Sequence, residues 1–153
     1  MRISIGSDHG GYALKQQVVK YLQTKYEVVD YGCDSLDSCD YPIFAKKVAN
    51  DVSSNASDFG VLICTTGIGM SITANKFKGV RAALVMNEES AHLTRMHNNS
   101  NVICMGAKFT PYEEAVKYLD AIGFLFNFLL VLRESTLRII QLQELQRCWF
   151  LRM

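Results

Sequence analysis

The sequence predicts an α/β fold: one three-layer domain in which a five-stranded parallel sheet lies between helices, extended at its C-terminal end by a helical segment. Three observations predict it. Strand-like and helix-like periods alternate from the first residues, the strand segments are apolar on both faces, and 153 residues suit a single domain with a full core. RISIG opens the chain as a strand and is followed by a helix from Tyr12 to about Thr24. EVVDYG is the second strand, with Tyr41 and Pro42 in the loop after it and a helix from about Ile43 to Val52. The third unit is VLIC with a helix from about Ile72 to Lys76, capped by Ser71. VRAALVM leads to a helix from about Glu88 to Met96, and NVICMG to a helix from about Tyr112 to Leu125. Strands alternating with helices imply right-handed crossovers and a ligand crevice at the strands' carboxyl ends. The SDHGG, CTTGIGMS and RMHNNSN segments are therefore expected to converge on one edge.

Composition excludes several classes of function. With 16 basic and 15 acidic residues the net charge is +1, which leaves no electrostatic footprint for nucleic acid or an anionic membrane. Five cysteines at 33, 39, 64, 104 and 148 are odd in number and lack CxxC spacing, and there are three histidines. Neither a disulfide framework nor a zinc site is expected, and no metal or cofactor is predicted. MRISIGSDHGG has no signal-peptide core, so the expected location is cytoplasmic. The apolar run Ile122 to Leu132 has about half the roughly 20 residues of a membrane span and reads as a buried or interface helix. Beyond it, Ser135 is a possible N-cap, and Leu137, Ile140, Leu145 and Trp149 recur at helical spacing.

Chemistry concentrates in VLICTTGIGMSITANK, Val61 to Lys76. Val61, Leu62 and Ile63 read as a buried strand that puts Cys64 at its carboxyl end. Gly67 and Gly69 permit a sharp turn and close approach to a ligand. The amides that open the following helix form an anion site, and their field favours the thiolate of Cys64. GIGMS is neither a GxGxxG fingerprint nor a P-loop, and a cysteine at a strand end is commonly a small buried hydrophobe, so this stretch alone leaves both readings open. Asp8 and His9 lie side by side after the first strand, and His97 and Asn98 end the fourth helix.

In combination, GSDHGGYALK, SCDYPIFAKKVA, GVLICTTGIGMSITANKFKGVRAAL and SAHLTRMHNNSNVICMGAK closely resemble the type B ribose-5-phosphate isomerases, a family that also holds galactose-6-phosphate isomerase subunits. The resemblance runs from Met1 to about Asp120, leaving 121–153 as a divergent apolar helical tail of the same domain. It implies a Rossmann-like fold and a homodimer with composite active sites at the subunit interface. It also implies metal-free interconversion of D-ribose 5-phosphate and D-ribulose 5-phosphate in the pentose phosphate pathway. By that resemblance Cys64 is the base that moves a proton between C2 and C1, and Gly67, Ile68, Gly69, Met70 and Ser71 hold the enediolate. His97, with Thr66 and Asp8, opens the sugar ring. His9 contacts the phosphate, and Tyr41 and Asn98 line the substrate pocket.

The chain departs from that family twice. Thr65 stands where glycine is usual and adds a Cβ that restricts φ at a tight turn. FLLVLRESTLR replaces a polar segment bearing phosphate-binding arginines; Arg133 and Arg138 match neither its spacing nor its context, and Lys108 supplies one phosphate charge without a bidentate fork. Two alternatives remain at this stage: isomerisation of a six-carbon sugar phosphate such as galactose 6-phosphate or allose 6-phosphate, and a noncatalytic sugar-phosphate-binding homologue.

Overall fold

The computed structural model describes residues 1–133, with side-chain surroundings through residue 123. The proposed Ser135 cap, the helical pattern after it, and Arg138 lie outside the described residues.

Five strands form one sheet: β1 (Arg2–Ser7), β2 (Glu27–Asp30), β3 (Phe59–Cys64), β4 (Ala82–Leu84) and β5 (Val102–Gly106). Their order is β2-β1-β3-β5-β4, and every neighbouring pair is parallel. The helices are α1 (Tyr12–Gln23), α2 (Tyr41–Ser53), α3 (Ile68–Ala74), α4 (Glu88–Asn98) and α5 (Tyr112–Arg133). β3 shows why both faces are covered. All six of its residues are buried, yet Phe59, Val61 and Ile63 join a core formed with α1, α4 and α5, while Leu62 and Cys64 point into a second core with α2 and α3. A period of two thus divides one apolar run between two helix layers. None of the described helices is long and apolar enough to cross a membrane.

Strand order reverses between β1 and β3, so a crevice opens beyond their carboxyl ends. The loops that enter it are the 3₁₀ turn His9–Gly11 after β1 and the turn after β3. The two approach closely: a Cβ on Gly11 would meet the Ile63 carbonyl oxygen at 2.5 Å, and one on Gly10 would meet Thr65 Oγ1 at 2.2 Å.

Two element boundaries expected from sequence shift in ways that affect the site. α2 begins at Tyr41, not in a loop ending near Ile43, because Pro42 fits a helix's first turn, where no N–H bond is lost. α3 begins at Ile68, four residues before the expected Ile72, with Gly67 at its N-cap in the left-handed region (φ 78°). Ser71 is therefore inside the helix and caps nothing.

Lys15 on α1 is fully buried, and its ammonium bonds both carboxylate oxygens of Asp30 at 2.7 and 2.6 Å. Asp30 also accepts the Gly32 N–H at 2.9 Å, which ties the end of β2 to the chain that leaves it. The two partners are not equally buried, since the Asp30 side chain is 30% exposed. Asp30→Asn strands a charge that water cannot reach and is expected to cost about 3 kcal/mol or more. Lys15→Met leaves a carboxylate that can hydrate and should cost clearly less; urea denaturation of both variants tests that order.

Candidate active site

Cys64 ends β3 almost wholly buried, at 5% exposure, with Sγ directed toward the α2 and α3 layer. Its sulfur accepts the Gly67 N–H at 3.0 Å. A negatively charged sulfur at this position therefore has a backbone donor aimed at it. The turn that provides this contact is held from β5: Ala107 N–H donates to Cys64 O at 2.8 Å, and Lys108 N–H donates to Thr65 O at 3.1 Å. Cys104, the next thiol on this face, differs in kind. Full burial, with Cys64 close by, pushes it well above the ordinary thiol range and leaves it an inert core group.

Gly67 cannot carry a side chain. A Cβ would meet Leu84 Cδ1 at 2.5 Å and the Met105 carbonyl carbon at 2.9 Å, in addition to the strain of φ 78°. Gly69 is constrained by a different neighbour, because its Cβ would lie 2.7 Å from Tyr41 Cζ. The Tyr41 ring therefore rests directly on the first turn of α3 and walls the pocket there. Helix geometry leaves the Ile68, Gly69 and Met70 N–H groups without i−4 carbonyls; Ile68 N–H reaches Thr66 Oγ1 at 3.4 Å. These amides, and not the Ser71 hydroxyl, face the turn. Ser71 Oγ donates to Ala82 O at 3.0 Å, so it braces α3 against the sheet. The Met70 side chain is core, while that of Ile68 is half exposed.

Across the crevice, Asp8 is buried and its Oδ1 accepts the Gly11 N–H at 3.0 Å, which caps the turn bearing His9. His9 Nδ1 accepts the Cys39 N–H at 3.2 Å. A backbone N–H can only donate, so Nδ1 carries a lone pair and Nε2 carries the proton of the neutral ring. This fixed donor faces away from the loop that holds it. Cys39 was not identified from sequence; an anonymous loop amide carries no sequence signal, although its place two residues before Tyr41 set it near the site. Lys108 lines a groove of about 470 Å³ shared with Gly10, Thr65, Ala13, Ala107 and Tyr112.

Two expectations are corrected. Thr65 does not strain its turn, because Asn55 and Asn99 are the non-glycine residues with positive φ among those described. Its side chain packs over Gly10, where there is no Cβ to oppose it. His97 and Asn98 do not converge with the Cys64 loop within one chain. α4 runs back across the sheet, and the segment after it is fastened at the strands' amino ends: Arg81 Nε donates to Asn99 O at 2.9 Å, and Gly60 N–H to Asn101 O at 2.9 Å. Arg95, whose guanidinium burial lowers to about 10, fixes this corner by donating to Asn99 Oδ1 and Ser100 O. The length of β5, about 13 Å at a strand's rise per residue, separates the two edges.

Among the described residues no three His, Cys, Asp or Glu side chains are grouped to hold a metal ion. The arrangement can support proton transfer, with a sulfur under the crevice, amides for a developing oxyanion, and an imidazole N–H donor at its rim.

Comparison with known proteins agrees on one family. A family model described as Ribose/Galactose Isomerase matches residues 3–125. A probable ribose-5-phosphate isomerase B from Mycoplasma genitalium is 46% identical over 121 residues, covering 77% of this chain and 80% of that protein. Ribose-5-phosphate isomerase B of Escherichia coli is 42% identical over 78% of this chain and 81% of its own. Among solved structures, ribose-5-phosphate isomerase B from Clostridium thermocellum superposes with a TM-score of 0.78 at 43% identity, covering 80% of this chain and 83% of that one. The Mycoplasma genitalium enzyme with bound ribulose-5-phosphate gives 0.76 at 45% identity over 79% and 82%.

Gly67 and Gly79 share a φ of 78°, but a Cβ on Gly79 meets nothing within 4 Å. Gly79→Ala is expected to cost about 1 kcal/mol, the strain of the left-handed conformation alone. Gly67→Ala adds backbone and Leu84 clashes and should cost at least about 2 kcal/mol more, with the difference read from thermal or urea unfolding.

Proposed function

The chain belongs to the ribose/galactose isomerase family, and from that membership we propose that it interconverts D-ribose 5-phosphate and D-ribulose 5-phosphate through an enediolate. The observation that carries this reading is the Cys64 sulfur held 3.0 Å from the Gly67 N–H at the point where strand order reverses. In the aldose-to-ketose direction the Cys64 thiolate takes the proton from C2 of the open sugar and becomes a thiol. The electron pair moves onto the carbonyl oxygen at C1, where amides of the Gly67 to Ser71 segment stabilise it. The thiol then returns the proton to C1, and a proton passes from O2 to O1. No cofactor or metal is needed. His9 Nε2–H donates to the phosphate, with the Lys108 ammonium in the adjoining groove, and Tyr41 encloses the sugar against α3.

Ring opening calls for the remaining groups, Thr66, Asp8 and His97. Because His97 and Asn98 lie at the opposite edge from Cys64, they can serve this site only from a second copy. Support comes from the layer into which Cys64 points: α2 and α3 pack together and expose Ile43, Ile68 and Ile72 at 53, 51 and 58%, beside Tyr41. An apolar face at the mouth of a site is well suited to cover by a symmetric partner. The active site is then composite, with His97 of the partner subunit above Cys64, and the protein is a cytoplasmic homodimer. Residues 121–153 form the divergent tail of this single domain.

A coupled assay should register turnover of ribose 5-phosphate well above that of allose 6-phosphate; the reverse preference would move the assignment to six-carbon sugars, and no turnover of either would leave a binding protein. Cys64→Ala should lower kcat by about 100-fold or more. The composite site has a sharper test. Cys64→Ala and His97→Asn, each weakly active alone, should regain about a quarter of wild-type activity when refolded together, since mixed dimers contain one intact site. Failure to complement would show that the two residues do not meet across the subunit interface.

A further inference from the structure

Cys33 and Cys39 occupy the loop between β2 and α2, and neither thiol enters the chemistry above. Cys33 is buried at 6% exposure, whereas Cys39 reaches solvent. The Cys33 thiol acts on that of Cys39, whose pKa it raises, and Cys33 Sγ donates to Ser35 O at 3.3 Å. Cys39 meets His9 twice: its N–H donates to Nδ1 at 3.2 Å, and its Sγ lies 3.9 Å from the same nitrogen. A buried thiol, a solvent-reaching thiol and an imidazole acceptor therefore form a contiguous group at the rim of the site.

We propose that Cys33 and Cys39 are a peroxide-oxidised dithiol whose disulfide withdraws Cys39 from His9 and weakens phosphate binding. In the first step the Cys39 sulfur attacks one oxygen of a hydroperoxide and the O–O bond breaks. The thiol proton leaves with the other oxygen, giving Cys39 sulfenic acid and water or an alcohol. In the second step the Cys33 sulfur attacks Cys39, the S–O bond breaks, and the departing hydroxide takes the Cys33 proton as water. Two thiols are oxidised by two electrons and one peroxide is reduced by two. The ring closed is short, Cys33 to Cys39, so the bond must draw in the segment that supplies the His9 contact. Burial, then the Cys33 thiol, with Asp8 acting in the same sense, holds the Cys39 thiol above its ordinary range against the opposing His9 contact. Oxidation therefore quickens as pH rises, because the thiolate is the attacking form.

The consequence for substrate rests on the phosphate role proposed for His9, and the covalent step is read separately. Both cysteines fall in one tryptic peptide, Tyr26–Lys46, which excludes Cys64. After hydrogen peroxide and alkylation under native conditions, that peptide should lose the mass of two hydrogen atoms, resist alkylation, and recover both thiols in dithiothreitol. Cys39→Ser and Cys33→Ser should each abolish the loss; Cys39→Ser replaces a part-exposed thiol and keeps the backbone N–H to His9. A wild-type peptide that stays fully alkylatable, or gains only oxygen, overturns the dithiol. In a Cys64→Ser background, ribose 5-phosphate affinity measured by calorimetry should fall about fivefold on oxidation, as for one lost hydrogen bond, and return on reduction. Unchanged affinity with the disulfide formed overturns the coupling to His9.

Discussion

The contact between the Gly67 N–H and the Cys64 sulfur exists because the chain turns from a buried central strand into a helix within three residues. That turn requires the left-handed conformation at residue 67 and leaves no space for a Cβ beside Leu84 and Met105. With both conditions met, the sulfur, the opening amides of α3 and the Tyr41 ring are set by backbone geometry, not by flexible side chains. Preorganisation of this kind keeps donors in place before charge develops, which is where electrostatic catalysis gains most. Around this centre, the β5 contacts to Cys64 and Thr65, the Ser71 brace to Ala82, and the close approach of Gly11 to Ile63 all hold the turn.

The sheet order has a second consequence. Parallel strands send each helix back to the opposite edge, so residues that begin a helix and residues that end one cannot meet in the same chain. Asp8, His9, Cys64 and Tyr41 all lie at strand ends or helix starts. His97 ends a helix. If both kinds of residue serve one reaction, assembly of two chains is part of catalysis.

Five βα units were legible because periodicity and doubly apolar strands follow directly from a buried parallel sheet, and Cys64 at a strand end followed from the same pattern. The starts of α1, α4 and α5 were legible too, but those of α2 and α3 were not. Tyr41-Pro42 resembles a loop to propensity reasoning but is a sound first turn, and Gly67 caps α3 without any side-chain signal, which left Ser71 as the apparent cap. The RMHNNSN segment was expected at the crevice with the loops that follow strands, but it follows a helix and leads into β5, so it emerges at the sheet's amino edge. The Cys39 contact to His9 spans 30 positions and runs through a backbone amide, so nothing in local sequence encodes it.

The central claim is that Cys64 carries the proton between the sugar carbons. The most direct measurement is proton NMR of the ketose formed in deuterated water. Deuterium should enter C1 of ribulose 5-phosphate with the wild-type protein, in the fraction of turnovers that exchange with solvent, and none should enter above background with Cys64→Ser at equal enzyme concentration. Undiminished deuterium incorporation by Cys64→Ser would contradict that claim and place the base elsewhere in the crevice.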